Sequence, residues 1–302
     1  MEGLKKTFKI ALLQMEVQKN KVMNIMRAQE MIEEAASSGA NVVVLPEMFI
    51  CNYDKDSFIS NAEPIVDYAD NDKATAARML SSSARDNDVY IIGGSIPEKR
   101  EDGWIYNTSA CFNRSGDLAA KYSKTHLFDI DIPGKAAFKE SEYLRPGTSF
   151  GVFDTEYCKF GIGIWYDARF PDLSHILCRD MGVEFLVFPA AFTKATGQMH
   201  WDILRKARAL DNQSYFAFWS PARPDNTDLY QTWGYSSVTD PWGQLVEEVS
   251  HGESILYADI DLNVVDQSRS QIPWYSQRRN EMYQLKSVVK EHSEDEAKKY
   301  IP

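Results

Sequence analysis

The chain has 302 residues, 44% of them hydrophobic, and a formal net charge of −11. This hydrophobic content excludes a disordered chain, and the length suffices for a core that needs neither disulfides nor metal. The acidic balance argues against nucleic-acid binding, because such proteins normally present a basic face. No apolar run is long enough to cross a bilayer, and the first residues lack the apolar stretch of a signal peptide. We therefore predict a cytoplasmic protein without a membrane partner.

The predicted elements of the first half alternate between strands and helices. They are strands at residues 8–14, 41–45 and 89–94, helices at 22–36 and 73–87, and a hairpin of strands at 104–112 and 118–122. The first helix is predicted from apolar side chains at helical spacing, Val22 and Met26 among them, and Gly39 is a natural stop after it.

The second half continues this alternation and adds a second hairpin. It has predicted strands at 160–164, 184–188, 215–220 and 254–259, helices at 173–181 and 201–210, and a hairpin of strands at 233–240 and 244–249. Alternating strands and helices indicate an α/β fold, and the hairpins argue against a purely parallel sheet. We predict two mixed sheets that face each other, with helices outside. Because no linker interrupts the chain, we predict one domain over residues 1–285 and a charged tail over residues 286–302.

Cysteine and histidine residues are scattered rather than clustered. Cys51, Cys111, Cys158 and Cys178 form no C-x-x-C pair, and the five histidines form no H-E-x-x-H motif. These spacings predict neither a metal site nor a redox pair. The four thiols are predicted to be small buried side chains in a reducing compartment.

Two charged residues follow predicted strands, where a catalytic side chain could lie. Glu47 follows the strand at 41–45, at the edge where α/β folds place their sites. Burial would raise the pKa of its carboxyl group and suit it to general-base catalysis, although an ordinary exposed glutamate has the same pattern. Lys124 follows the strand at 118–122, where its ammonium group could stabilise an oxyanion or simply be solvated. Glu140 and Glu142 add two carboxylates with the same two interpretations.

A third segment, GIGIWYDARFP, runs from Gly161 to Pro171. Its Gly- and Ile-rich strand leads through a sharp turn into a helix, which resembles a nucleophile elbow. In such an elbow the residue at the turn projects into a pocket beside free backbone N–H groups. The third glycine of a dinucleotide-binding fingerprint is absent, so no dinucleotide cofactor is predicted.

Together these segments resemble the nitrilase superfamily of carbon–nitrogen hydrolases, and its omega-amidase branch in particular. The resemblance runs from Lys9 to about Tyr283. It implies a four-layer α-β-β-α sandwich that dimerises through helices, and it implies that no metal or organic cofactor is needed. The implied reaction is hydrolysis of the terminal amide of 2-oxoglutaramate or 2-oxosuccinamate to a 2-oxo dicarboxylate and ammonia.

Matched by position, the resemblance assigns Glu47 as the general base, Lys124 as the oxyanion-stabilising lysine and Glu140 as a further glutamate of the site. Trp165 occupies the position of the nucleophilic cysteine. An indole offers an N–H donor but no nucleophile at neutral pH, so no thioester can form. The chain is therefore predicted to be inactive as an amidase.

The resemblance also places residues around the substrate. Arg169 is expected to bind the carboxylate end of a 2-oxo acid, unless it pairs with Asp167 or Asp172 instead. Walls of the pocket are expected from Tyr53, Phe192 and Thr193, and the backbone N–H of Tyr166 is expected to complete the oxyanion hole with Lys124.

Three alternatives remain open. Cys51, four residues after Glu47, is the nearest substitute nucleophile in the sequence. The chain could instead be a non-catalytic scaffold whose tail, residues 286–302, docks a protein partner. It could also belong to another branch of the superfamily, one that acts on carbamoyl-amino acids, deaminated glutathione or nitriles.

Overall fold

Two mixed β-sheets lie face to face, with helices on both outer sides, in the computed structural model, which describes residues 7–66, 74–133 and 136–289. The strands are β1 (Thr7–Gln14), β2 (Val42–Val44), β3 (Tyr90–Ile92), β4 (Ile96–Lys99), β5 (Ile105–Phe112), β6 (Leu118–Ser123), β7 (Asp129–Ile132), β8 (Ala136–Lys139), β9 (Gly151–Asp154), β10 (Lys159–Ile162), β11 (Phe185–Pro189), β12 (Tyr215–Trp219), β13 (Ser237–Thr239), β14 (Leu245–Glu248) and β15 (Ser254–Asp261). The helices are α1 (Lys21–Ser37), α2 (Lys55–Asn61), α3 (Thr75–Asn87), α4 (Pro171–Arg179), α5 (Lys194–Asn212) and α6 (Asn263–Gln271).

The strand order confirms the prediction of two mixed sheets. The first sheet has the order β15-β1-β2-β3-β5-β4, with β6 paired to β5, and the second has the order β14-β13-β12-β11-β10-β9. Helices α1 and α3 pack on the first sheet, whereas α4 and α5 pack on the second. Between the sheets the ring of Phe8 contacts those of Phe160 and Phe185, with centroids 5.8 and 6.3 Å away. The predicted four-layer α-β-β-α sandwich is therefore correct.

Parallel strands in both sheets bring the candidate site to one end of the sandwich. Strands β1, β2 and β3 run parallel to one another, as do β10, β11 and β12. Glu47 lies just beyond the carboxyl end of β2, Trp165 beyond β10 and Ala191 beyond β11. Ligand sites of α/β folds lie at such carboxyl ends, because successive strands deliver their following loops to the same edge.

Helix α1 has the predicted position but a different buried face. Its buried positions are Asn24, Ala28, Met31, Ile32 and Ala35, which form one stripe against the sheet and α3. The apolar spacing from which this helix was predicted would place Val22 and Met26 on the core side together with Ile32; Ile32 is buried, whereas Val22 and Met26 are exposed. The prediction was wrong there because α1 carries apolar side chains on both faces. The spacing of apolar residues therefore does not determine which face is buried.

Some elements have no clear sequence signal. They are α2, β4, β7, β8, β9 and α6, which are short or polar. Strands β7 and β8 pair only with each other among the described strands, and Glu140 directly follows β8. Residues 272–289 contain turns and chain without regular structure, and residues 290–302, most of the predicted charged tail, lie outside the described residues. In the described ranges no helix combines the length and apolarity that a bilayer crossing requires.

Candidate active site

Glu47 is buried at the end of β2 and accepts hydrogen bonds from three separate parts of the chain. The Tyr53 hydroxyl and the Asn107 side-chain amide donate to Oε1 over 3.1 and 2.9 Å. The backbone N–H of Ala191 donates to Oε2 over 2.8 Å and so links the two sheets. Burial raises the pKa of Glu47 to about 7, although Lys124 and the bonds from Ala191 and Asn107 oppose this rise. The prediction of a buried carboxylate with a raised pKa is confirmed.

Lys124 and Glu140 form a fully buried ion pair beside Glu47. The Nζ atom of Lys124 lies 2.9 and 2.8 Å from the two carboxylate oxygens of Glu140 and 3.8 Å from Oε1 of Glu47. The Tyr53 hydroxyl also donates to Glu140 over 2.8 Å. The interpretation of Lys124 as a solvated loop charge is therefore wrong. Glu142, in contrast, is exposed and pairs with Lys55 on the surface.

The indole of Trp165 is packed directly against this charged cluster. Its side chain is buried, with a residue exposure of 2%, and its ring centroid lies 4.4 Å from Nζ of Lys124. The rings of Phe128, Tyr53 and Phe192 surround it, with centroids 4.6, 5.7 and 6.1 Å away. Its Nε1 atom has no hydrogen-bond acceptor among the described residues. The pocket therefore accommodates the large ring, and the ring occupies the space next to Lys124.

The turn at Trp165 has the backbone shape of the predicted elbow. Trp165 has a φ of +35°, in the left-handed region, and begins a short 3-10 helix, Trp165–Arg169, directly before α4. Two residues earlier, a Cβ at Gly163 would lie 2.1 Å from the ring of Phe188, so only glycine fits there. A left-handed conformation is costly for a bulky residue and persists only when the surroundings enforce it.

Asp167 helps to hold the backbone of Trp165 in its left-handed conformation. Its buried carboxylate accepts hydrogen bonds from the backbone N–H of Ile164 (2.9 Å), the Tyr122 hydroxyl (2.8 Å) and the backbone N–H of His126 (3.0 Å). The His126 Nδ1 atom lies 2.7 Å from the same carboxylate. Asp167 therefore ties the turn that carries Trp165 to the loop that carries Lys124.

Arg169 lies at the outer side of the Trp165 pocket. Its guanidinium carbon is 5.2 Å from the Phe192 ring centroid, and one of its nitrogens is 3.2 Å from Nδ1 of His200. Partial burial lowers the pKa of Arg169. In the described part of the chain neither Asp167 nor Asp172 lies within ion-pair distance of it, so the alternative pairing is wrong.

The other two residues predicted around the substrate have different surroundings. Tyr166 is half-buried, with its ring centroid 5.0 Å from that of Phe128. The Thr193 hydroxyl accepts a hydrogen bond from the backbone N–H of Thr196 over 3.2 Å and so caps helix α5. That hydroxyl serves the helix, and a role of Thr193 as a pocket wall stays a prediction.

A cavity of about 40 Å³ adjoins Glu47, with Tyr53, Tyr230 and Cys51 in its walls. Lys124, Glu140 and Trp165 do not line it. Burial raises the pKa of Cys51 to about 12, and in the described residues its thiol makes no hydrogen bond to Glu47. A thiol that stays protonated and makes no hydrogen bond to a base is a poor substitute nucleophile.

Asn107, Phe128 and His200 were not predicted from the sequence, yet each contacts a site residue. Asn107 lies in strand β5 beside two further polar residues, Thr108 and Ser109, so the sequence did not distinguish it from its neighbours. Phe128 and His200 carry no distinguishing signal either, because each reaches the site only through the tertiary fold. Within the described ranges no group of three or more His, Cys, Asp or Glu side chains could hold a metal ion.

Comparisons with known proteins agree with this architecture. A family model described as carbon-nitrogen hydrolase matches residues 9–270. Omega-amidase NIT2 of Mus musculus is 46% identical over 281 residues, which cover 93% of this chain and 98% of that protein. Omega-amidase NIT2 of Homo sapiens is 44% identical over 277 residues, 92% of this chain and 97% of that protein. The crystal structure of Saccharomyces cerevisiae Nit3, a member of branch 10 of the nitrilase superfamily, matches with a TM-score of 0.82 and 38% identity over 91% of this chain and 98% of that one. Given these matches and the sandwich fold, the chain belongs to the carbon–nitrogen hydrolase family of the nitrilase superfamily, in its omega-amidase branch.

Proposed function

We propose that this chain has the site of an omega-amidase but does not hydrolyse amides, because Trp165 stands at the nucleophile position. One observation carries the proposal. The indole is buried 4.4 Å from the Lys124 ammonium group, next to the ion pair that would stabilise the oxyanion. The ring removes the thiol and fills the adjacent space, so both catalysis and substrate binding are lost.

The proposed roles follow from the chemistry that a cysteine at position 165 would perform. Glu47 takes the thiol proton, and the thiolate attacks the amide carbon. Lys124, held by Glu140, and the backbone N–H of Tyr166 stabilise the oxyanion. Ammonia leaves with a proton returned by Glu47, and water then hydrolyses the thioester to the acid. With Trp165 the first step is impossible, and loss of a covalent nucleophile costs on the order of a million-fold in turnover.

The proposed substrate class is the terminal amide of a small 2-oxo dicarboxylic acid, such as 2-oxoglutaramate or 2-oxosuccinamate. Arg169 supports it, because its half-buried guanidinium has no carboxylate within ion-pair distance in the described residues and lies near Phe192. The relatives named omega-amidase support the same class. Amides of another superfamily branch remain the alternative, which a panel of carbamoyl-amino acids, deaminated glutathione and nitriles tests.

Ammonia release from 2-oxoglutaramate tests the proposal directly. The chain itself should release none above background, and the Trp165→Cys variant should release ammonia, because only the thiol is missing. Trp165→Ser is the matched control, since it vacates the same space with a much weaker nucleophile. Activity of the unchanged chain that Cys51→Ala abolishes would transfer the nucleophile to Cys51. If a folded Trp165→Cys variant is inactive on the whole panel, the proposed site is wrong.

We also propose a homodimer that forms through α5. Met199, Ile203 and Leu210 are exposed large apolar side chains on this helix, and their spacing of four and seven residues places them on one face. A self-complementary apolar helix face is what a two-fold interface needs. A charge introduced at the centre of this face should therefore separate the two copies.

Two further proposals concern the surroundings of the chain. A reducing compartment such as the cytoplasm is supported by four free, buried cysteines, and imaging of a fluorescent fusion tests it.

Docking of a protein partner by residues 286–302 is supported by their many charged side chains. Affinity capture with the full chain and with a chain that ends at residue 285 tests that role, since a true partner is lost with the tail.

A further inference from the structure

Helix α1 presents apolar side chains to solvent on the face opposite its buried stripe. Val22, Met23 and Met26 have exposures of 63%, 51% and 51%, although the helix already buries another set of residues against the sheet. Two of the three are methionines, whose flexible side chains adapt to varied partners. Contiguous exposed apolar side chains with charged neighbours are typical of interaction surfaces.

A cavity of about 220 Å³ lies beside these methionines, on the far side of the molecule's first sheet from α4 and α5. Met23 and Met26 line it together with three carboxylates, those of Glu16, Glu30 and Glu253. It combines apolar walls with acidic groups, which is the environment that a long basic side chain prefers. The aliphatic stem of such a side chain covers apolar surface while its charged head contacts acids.

The chain itself places a basic side chain among these acids. The Arg27 guanidinium donates to Glu253 over 2.8 and 3.0 Å and to Glu30 over 2.9 Å. These bonds raise the pKa of Arg27. One cation against three carboxylates leaves the cavity with a net negative charge, and the whole chain carries −11. Charge complementarity therefore selects a basic side chain for this cavity and disfavours an acidic one.

We propose that the α1 face and its acidic cavity form a docking site for a helical segment of another protein, one that carries lysine or arginine between large apolar side chains. The apolar residues of the segment pack on Val22 and Met26, and its basic side chain enters the cavity beside Glu16 and Glu253. This site is separate from the Trp165 pocket. It does not rest on the proposed function, and its test uses the chain unaltered at Trp165.

Methyl NMR of selectively labelled methionine tests the proposal. The probe is a short synthetic helical peptide with leucines one turn apart and lysines between them, and the matched probe carries glutamate in place of each lysine. The chain has 10 methionines, and Met23→Leu and Met26→Leu identify the two relevant signals. The lysine peptide should shift these two signals, and the glutamate peptide should not. Met282, which is also exposed and lies on neither α1 nor α5, is the internal control whose signal should stay in place.

Charge reversal provides the second arm. Glu16→Lys with Glu30→Lys should weaken binding of the lysine peptide at least about tenfold, as loss of close charge pairs does, and higher ionic strength should weaken it too. Equal binding of both peptides, or a shift of Met282 as large as those of Met23 and Met26, would overturn the proposal in favour of unspecific apolar contact. Shifts of Met23 and Met26 that depend on protein concentration without peptide would assign the face to a second copy instead.

Discussion

Trp165 combines good packing with an unfavourable backbone. Three aromatic rings and the Lys124 ammonium group surround its indole. Its φ of +35°, however, lies in the left-handed region, which only glycine adopts without a steric cost. Cation–π contact with a desolvated ammonium group contributes up to about 2 kcal/mol, and the left-handed backbone costs of order 1–3 kcal/mol. The cation–π contact and the burial of the ring together therefore stabilise Trp165 by more than its backbone strain costs.

Truncation of Trp165 should separate these two effects. Trp165→Ala should lower the free energy of unfolding by about 3–5 kcal/mol, the usual cost of deleting a buried tryptophan ring. Trp165→Gly creates the same cavity but relieves the strained backbone, so it should be as stable as the alanine variant or about 1 kcal/mol more stable, against the usual ranking of these residues. Urea titrations measure both values. A glycine variant clearly less stable than the alanine variant would show that the backbone at position 165 is not strained.

Glu47 should make the stability of the protein depend on pH. Its pKa is about 7 in the folded chain and close to the ordinary 4.5 in the unfolded chain, because burial disfavours the charged form. The folded state therefore binds the proton more tightly, and stability falls as pH rises from 4.5 through 7. A difference of this size corresponds to about 3 kcal/mol.

The Glu47→Gln variant should lack this component, because its side chain does not titrate. Its free energy of unfolding should fall less steeply over the same pH range. The stability of the variant relative to the unchanged chain should therefore increase toward alkaline pH. Glu33→Gln, an exposed position on α1, is the control and should keep the original slope. Parallel slopes for Glu47→Gln and Glu33→Gln would show that Glu47 titrates as an ordinary carboxylate.

At the scale of elements, the site depends on how the elbow after β10 is tied to the loop after β6. Asp167 is that tie, since its carboxylate accepts bonds from Ile164, Tyr122 and His126. The shape of the elbow thus comes from a tertiary contact as much as from Gly163. The same contact sets the position of Lys124 relative to Trp165.

Asp167→Ala should therefore be strongly destabilising. It leaves buried donors unpaired, and each unpaired donor costs about 1–3 kcal/mol, so a loss of about 3 kcal/mol or more is expected in urea titrations. Asp172→Ala is the matched control, because Asp172 is exposed in the first turn of α4 and contributes at most about 1 kcal/mol through the helix dipole. Similar losses in the two variants would mean that Asp167 is not the tie.

At the scale of the whole molecule, the sandwich is predictable because its central strands are apolar runs with sharp ends. Residues 42–44, which Pro46 follows, and residues 185–189 are such runs, and the resemblance to a known family supplies the pairing of the two sheets. The buried face of α1 was mistaken because both faces of this helix carry apolar side chains. Short elements such as β9 depend on partners distant in the chain, so no local pattern marks them.

The candidate site was predictable for residues that follow strands and not for those that reach it from elsewhere. Glu47 and Lys124 were found because each follows a predicted strand, where α/β folds place their sites, and because the family resemblance assigns both a role. Asn107 and His200 were missed because polar residues in a strand or helix are common, and only the fold reveals their partners. The ion pair of Lys124 with Glu140 likewise needs the three-dimensional arrangement.

The exposed apolar face of α5 predicts that the chain assembles into a dimer. Ile203 is 66% exposed at the centre of the apolar face of α5, where a dimer contact would bury it. Ile203→Glu should convert a dimer into a monomer, because a charge at the centre of an apolar interface has no partner on the two-fold axis except its own copy. Light scattering after size-exclusion chromatography measures the mass. Ile59→Glu, at a 50% exposed position on α2, is the matched control and should leave the dimer intact. If only the control variant dissociates, the interface lies near α2 rather than α5, and a chain that is monomeric before any substitution would show that the apolar face of α5 does not self-associate.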